Sequence, residues 1–224
     1  MSDKEFERLL LKIEGKSVFE SAKILRDKEI ISRDDDSILY LKLFDTQNYQ
    51  NNFLQVTHQT TVVGRYTNRY DVTLLINGLP LVQIELKRRG LHFAEGFNQI
   101  MRYRKDSYGG LFNFLQVFVV SNGVDTKYFA NSDREPMKSL MFFWSDDANK
   151  RITKLDAFTA SFLNPVMLQN VLSKYMIINE TDKHLMVMRP YQIYAVERIL
   201  HQTIEKKKTV MCGTRRQREN FNFL

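Results

Sequence analysis

An α/β fold is predicted by three features of this sequence. Segments with helical apolar spacing alternate along the chain with runs rich in Val, Ile, Phe and Thr. Leu115 to Ser121 (Leu-Gln-Val-Phe-Val-Val-Ser) reads as a buried central strand, closed by Asn122-Gly123. Asn77-Gly78, between two apolar runs, is a strong hairpin turn signal.

The elements follow in order. Residues 5–31 read as mostly helical, with apolar positions at Phe6, Leu9, Leu10 and Ile13, then at Phe19, Ile24 and Leu25 after a break at Gly15. Asp34-Asp35-Asp36 reads as a loop. Ile38 to Phe44 alternates apolar residues with Tyr and Lys, as a half-buried strand does, and Phe53 to Val63 adds a Thr-, Val- and Gln-rich strand of edge character. Val72–Ile76 and Leu81–Leu86 are strand-like on either side of the turn. A helix follows Gly90, from Phe93 to Lys105. Lys127 to Ala130 is a short strand. Residues 152–176 read as helical from Leu155, Phe158, Phe162, Leu168, Val171, Leu172 and Tyr175.

Length allows one large domain, or one domain plus a fragment of another. The single cysteine, Cys212, excludes an internal disulfide and any cysteine-based zinc cluster. His58, His92, His184 and His201 are scattered without metal-ligand spacing. The first residues lack the apolar core of a signal peptide, and Leu111 to Val120, the longest apolar stretch, is interrupted by Asn113 and Gln116 and too short to span a bilayer. The expected setting is the cytoplasm, away from any membrane. The net charge of +7 is weak support for nucleic-acid binding, because Lys206, Lys207, Lys208, Arg215, Arg216 and Arg218 contribute six positive charges, leaving a net of only +1 for the other residues. A local cluster says more. Lys87, Arg88, Arg89, Arg102, Arg104 and Lys105 stand against Glu95 alone, a charge density that attracts a phosphate backbone. A cluster of this kind is also compatible with a plain solvated face.

Hairpin register decides whether the polar residues meet. A strict two-residue loop sets Ile76 opposite Leu79 and faces Asp71 and Glu85 in opposite directions. If the loop is Asn77-Gly78-Leu79, or a bulge resets the register, Ile76 opposes Pro80 and the pairs become Val72–Ile84, Thr73–Gln83, Leu74–Val82 and Asp71–Glu85. Hydrophobic alternation selects this second register, since it collects Val72, Leu74, Ile76, Val82 and Ile84 on one face and Asp71, Thr73, Gln83, Glu85 and Lys87 on the other.

Two carboxylates and an ammonium on one face suit a divalent cation. Mg²⁺ takes hard oxygen ligands, here Asp71, Glu85 and the carbonyl of Leu86, and acidifies water while polarising a phosphodiester. Lys87 is placed to orient the attacking water and to stabilise developing negative charge. On these residues alone, a solvent-facing Glu-x-Lys on a one-sided sheet is an equally good account.

Asp71 with Glu85-Leu86-Lys87 resembles the PD-(D/E)xK nuclease motif, which implies a restriction-endonuclease-like fold: a mixed central sheet flanked by helices, with a helical C-terminal extension. The longer string Asn68-Arg-Tyr-Asp-Val-Thr-Leu-Leu-Ile-Asn-Gly-Leu-Pro-Leu-Val-Gln-Ile-Glu-Leu-Lys87 is similar to the endonuclease domain of the R (restriction, motor) subunit of type I restriction–modification enzymes. Phe97-Asn-Gln-Ile-Met-Arg-Tyr103, the string from Val119 to Asn131, and Met188-Arg-Pro-Tyr-Gln192 carry the same resemblance, which is clear over residues 68–200. It implies Mg²⁺-dependent endonucleolytic cleavage of double-stranded DNA, with methyltransferase and specificity subunits as partners and ATP required only by the full-length subunit. Gln99 and Tyr103 match a Gln-xxx-Tyr element of this family and of RecB-like nucleases. Their i, i+4 spacing puts both on one helix face, although for Tyr103 simple packing is as good an account. Arg88, Arg89, Arg102, Arg104 and Lys105 become DNA-binding candidates.

The motif departs from its superfamily where Tyr70, not proline, precedes Asp71. An acid from the first helix often completes such sites, and Glu7, Glu14 and Glu20 are the candidates. The resemblance divides the chain into an endonuclease domain, 1–180, and the start of a superfamily 2 motor, 181–224. No Gly-Lys-Thr/Ser loop follows Gln192, so this chain is not expected to hold nucleotide through it, and residues 209–224 read as a frameshifted or truncated end. Two alternatives stand beside the endonuclease: a coupling and docking module inactive in isolation, and a RecB-like exonuclease.

Overall fold

The computed structural model describes residues 1–63, 66–134 and 138–205. The expectations for the basic tail, including Cys212, lie outside them.

Two capping boxes start the chain. Ser2 and Glu5 cap α1 (Asp3–Ile13), and Ser17 and Glu20 cap α2 (Val18–Arg26), each pair satisfying backbone N–H groups reciprocally. The expected helical stretch to residue 31 ends early. Asp27 closes α2, and Lys28–Ser32 is strand β1, paired antiparallel with β2 (Ile38–Lys42). Ile30 and Ile31 alternate out and in along β1, a period of two that favours a strand over another helical turn.

The central sheet has seven strands in sequence order: β3 (Leu54–Val63), β4 (Thr67–Ile76), β5 (Leu79–Leu86), β6 (Val117–Ser121), β7 (Thr126–Ala130), β8 (Phe142–Ser145) and β9 (Arg151–Ile152). All neighbours are antiparallel except β5 and β6, which run parallel because α3 (Phe93–Asp106) carries the chain across between them. The exposed, ten-residue β3 forms one edge. Every residue of β6 is buried, as expected for a central strand covered on both faces.

Those faces support two cores. Val82 and Ile84 of β5, Val117 and Val119 of β6 and Tyr128 of β7 point into the larger, with Leu9, Ile13 and Leu25 of α1 and α2, Phe158 of α4 (Leu155–Ser161), Phe162 at its C-cap and Leu172 of α5 (Pro165–Ser173). Phe118, Val120 and Phe129 point to the opposite side, where Phe97 and Ile100 of α3 cover them. The stretch expected to be helical over 152–176 begins as β9, breaks at Asn164-Pro165 between α4 and α5, and ends at Met176 in β10 (Met176–Asn179). A hairpin with β11 (His184–Val187) follows and spans residue 180; α6 (Pro190–Leu200) comes next. None of the helices among the described residues is long and apolar enough to cross a membrane.

The hairpin satisfies both local signals at once. At its tip Asn77 (φ 52°) and Gly78 (φ 82°) form a two-residue turn with both central residues left-handed, and Ile76 pairs with Leu79, not with Pro80. The three-residue loop is therefore incorrect. Below the tip, Leu75 pairs with Pro80 but Leu74 with Val82, so Leu81 is the extra residue of a bulge. The lower strands recover Thr73–Gln83 and Val72–Ile84. Turn chemistry fixes the tip, burial fixes the base, and Leu81, itself fully buried, absorbs the one-residue difference.

Candidate active site

The face of β4 and β5 away from the larger core is polar but not exposed. Thr73 and Gln83 are buried and joined by a 2.7 Å hydrogen bond, and Glu85 has no exposed surface. This disposes of the solvent-facing account of Glu85. The cover is α3, which packs on β5 and β6. It comes close because of Gly96: a Cβ there would stand 2.5 Å from Val120 Cγ1 and 3.6 Å from Cγ of both Glu85 and Lys87. Gly96 and Tyr108 carried no motif and escaped the sequence reading; a glycine inside an otherwise good helix was the available signal.

Beneath α3 the expected residues form a connected chain. Leu86, whose carbonyl the sequence assigns as a ligand, donates its N–H to Asp71 Oδ2 at 2.8 Å. Lys87 Nζ donates to Glu85 Oε1 at 2.7 Å and also to Gln99 Oε1. Gln99 Nε2 donates to the Tyr103 hydroxyl, which donates to the carbonyl of Arg69 at 3.1 Å. The two accounts of Tyr103 coincide, since its ring is buried edge-on to Tyr70 while its hydroxyl ends the chain. The far end of α3 is moored to β4 through Ser107 Oγ, which accepts from Tyr70 (2.9 Å) and Asn68 (3.1 Å).

One atom is left over. Glu85 Oε2 is buried without a hydrogen-bond partner among the described residues. Burial pushes the Glu85 carboxyl up to about 7; the Lys87 hydrogen bond opposes the shift and the Asp71 charge adds to it. Tyr108 nearby also has a buried hydroxyl without a hydrogen-bond partner among the described residues, and burial, followed by the charges of Tyr70 and Glu85, holds its pKa well above the usual value.

The DNA-binding candidates separate. Arg88 and Arg89 are exposed just beyond β5, and Arg102 and Lys105 are exposed on α3, with Arg102 5.5 Å from the Tyr103 ring. Arg104 turns inward: its guanidinium donates to Asn131 Oδ1 (3.1 Å) and to the carbonyls of Ser132 and Arg134, bracing the loop after β7. Glu7, Glu14 and Glu20 are exposed, Glu20 serving as the α2 cap, and no group of three or more His, Cys, Asp or Glu residues suited to a metal occurs among the described residues. Gln192 accepts the Arg189 N–H at the start of α6.

A mixed sheet thus carries buried Glu85 with the partly buried Asp71 and Lys87 beneath a helix, and the comparisons identify the family. The chain belongs to the type I restriction enzyme R protein N terminus (HSDR_N) family, whose match covers residues 1–137, including the N-terminal part where the resemblance was least clear. It is 57% identical over 205 residues to the type I restriction enzyme SauCOLORF180P endonuclease subunit of Staphylococcus aureus strain COL, a match covering 92% of this chain and 22% of that protein. It is 48% identical over 172 residues to the EcoprrI endonuclease subunit of Escherichia coli, covering 75% of this chain and 55% of that one. A putative type I restriction enzyme endonuclease subunit of Methanocaldococcus jannaschii, MjaVIIIP, is 30% identical over 113 residues, 48% of this chain and 11% of that protein. The chain thus spans about a fifth of the length of its staphylococcal relatives.

Proposed function

We propose that this chain carries the Mg²⁺-dependent site with which a type I restriction enzyme cleaves double-stranded DNA. The observation that supports it best is the unpartnered, buried Glu85 Oε2 beside Asp71 and Lys87. An anionic oxygen with no donor is costly in an apolar interior, and a hard divalent cation is the natural counter-charge for two carboxylates. Asp71, Glu85 and the Leu86 carbonyl would hold the ion, which when bound supplies Lewis-acid polarisation of a phosphodiester and an acidified water. Lys87, held between Glu85 and Gln99, keeps an ammonium facing the position where charge develops on the phosphate. Gln99 and Tyr103 fix that ammonium. Arg88, Arg89, Arg102 and Lys105 offer charge to the DNA backbone, and Arg104 contributes through the loop it braces.

On this reading residues 1–180 are the nuclease unit and residue 181 onward begins a motor that uses ATP only in the full-length subunit. Methyltransferase and specificity subunits complete the complex in the cytoplasm. The test is cleavage of double-stranded DNA by the full-length, assembled enzyme. Asp71→Ala, Glu85→Ala and Lys87→Ala are each expected to abolish cutting while leaving the circular dichroism spectrum unchanged; normal cutting by all three would sink the assignment.

A second reading is favoured by the two-acid site, since no third acid joins Asp71 and Glu85 among the described residues. In it the chain by itself is a coupling module, silent until a DNA phosphate adds its oxygen to the cation. Calorimetric titration with Mg²⁺, with and without duplex DNA, separates the two. Tight binding without DNA, together with nicking by the chain alone, rejects this second reading.

A further inference from the structure

The string from Val119 to Asn131 supplies β6 and β7, and one of its side chains has no part in the catalytic chain described above. A single register row crosses four strands: Glu85 opposes Val120, Val120 opposes Lys127, and Lys127 opposes Phe143. Neighbours in a row leave the sheet on the same face. With strands about 4.8 Å apart, Lys127 lies about 10 Å along the row from Glu85. Its ammonium sits 4.0 Å from the ring of Phe93, the first residue of α3, and 4.6 Å from the ring of Phe143. The Arg151 guanidinium is also 4.6 Å from Phe143.

Among the described residues neither cation forms a salt bridge. Burial and then the charge of Arg151 lower the Lys127 pKa, with Asp125 opposing. Two aromatic rings steady the ammonium, and the charge of Arg151 outweighs that of Asp125 at Lys127, an excess of positive charge that an anion relieves. The row that leads to Glu85 says which anion.

We propose that Lys127 and Arg151, framed by Phe93 and Phe143, bind a DNA backbone phosphate flanking the one that is cleaved. The choice of DNA rests on the nuclease reading. Such a contact sets the register of the duplex over Asp71 and Glu85 without reading bases. Lys127 is therefore a positioning residue.

The experiment is anisotropy titration of a short labelled duplex with the full-length chain, in chelator, at several salt concentrations. Lys127→Met keeps the packing between the rings and removes the charge; Arg151→Gln does so at an exposed position. Each is expected to reduce the slope of log affinity against log salt by about 0.9, the value for one phosphate contact, and Lys127→Arg to restore it. Slopes equal to wild type in folded Lys127→Met and Arg151→Gln proteins overturn the proposal. So does loss of inorganic phosphate binding in Lys127→Met with the DNA slope unchanged, which would make the ligand a free anion. Asp71→Ala separates the two claims, since it should keep the wild-type slope and lose cleavage. If Asp71→Ala still cuts, the nuclease reading fails, while the Lys127→Met slope continues to decide the phosphate site.

Discussion

Single side chains brace the hairpin that carries the site. Asp45, in the loop between β2 and β3, accepts from the N–H groups of Gln47 (3.1 Å) and Asn48 (3.0 Å) and from the Asn51 side chain (2.9 Å). The adjoining Asn52 holds Asn77 at the hairpin tip (3.0 Å). These hydrogen bonds lower the Asp45 pKa to about 2 from the ordinary 3.8. A folded-state pKa below the unfolded one stabilises the protein above the unfolded value and loses that contribution as pH falls through the folded value. Thermal melts should therefore show wild type losing stability between pH 3.8 and about 2 more steeply than Asp45→Asn. Parallel melting curves for the two proteins would rule this role out.

At the scale of elements, the contact of α3 with β5 and β6 decides the site. Glycine inside a helix costs about 1 kcal/mol relative to alanine, so its presence in the second turn of α3 needs a tertiary reason. The 2.5 Å approach of a Cβ at Gly96 to Val120 Cγ1 supplies one. Gly96→Val adds bulk at that contact and is expected to destabilise the fold by roughly 1–3 kcal/mol, as overpacking does. It should also lower cleavage by lifting Gln99 away from Lys87. Urea denaturation and a cleavage assay on the same preparation check both, and wild-type stability would remove the close-packing argument.

Over the whole molecule, the protected centre and the open edge of the sheet are far apart in character. All of β6 is buried between the two cores, while β3 exposes most of its ten residues. Arg26 joins the layers on the larger-core side, donating to the carbonyls of Ala22 and Leu172 (2.6 Å each) and to Gln116 (3.1 Å). Hydrogen exchange should follow this order, with β6 amides exchanging only on global unfolding and β3 amides first among the sheet strands. Equal protection of the two strands would contradict the layered arrangement.

The strands met along the chain from β3 to β7, the α3 helix, the turn at Asn77-Gly78 and the grouping of Asp71, Glu85 and Lys87 were legible because each rests on local periodicity or short spacing. Other features were not local. Lys28–Ser32 became a strand by pairing with β2, and the compromise between turn and register fell on Leu81 because burial on both faces of β5 outweighs regular pairing. By itself the sequence determined the class of fold and named the residues of the candidate site. Only the tertiary structure decided that Glu85 is buried with one oxygen unpartnered, that Arg104 turns inward, and that Lys127 shares a row with Glu85. Burial, partner and row depend on which segments pack across the sheet, and that information is spread over residues distant in the chain.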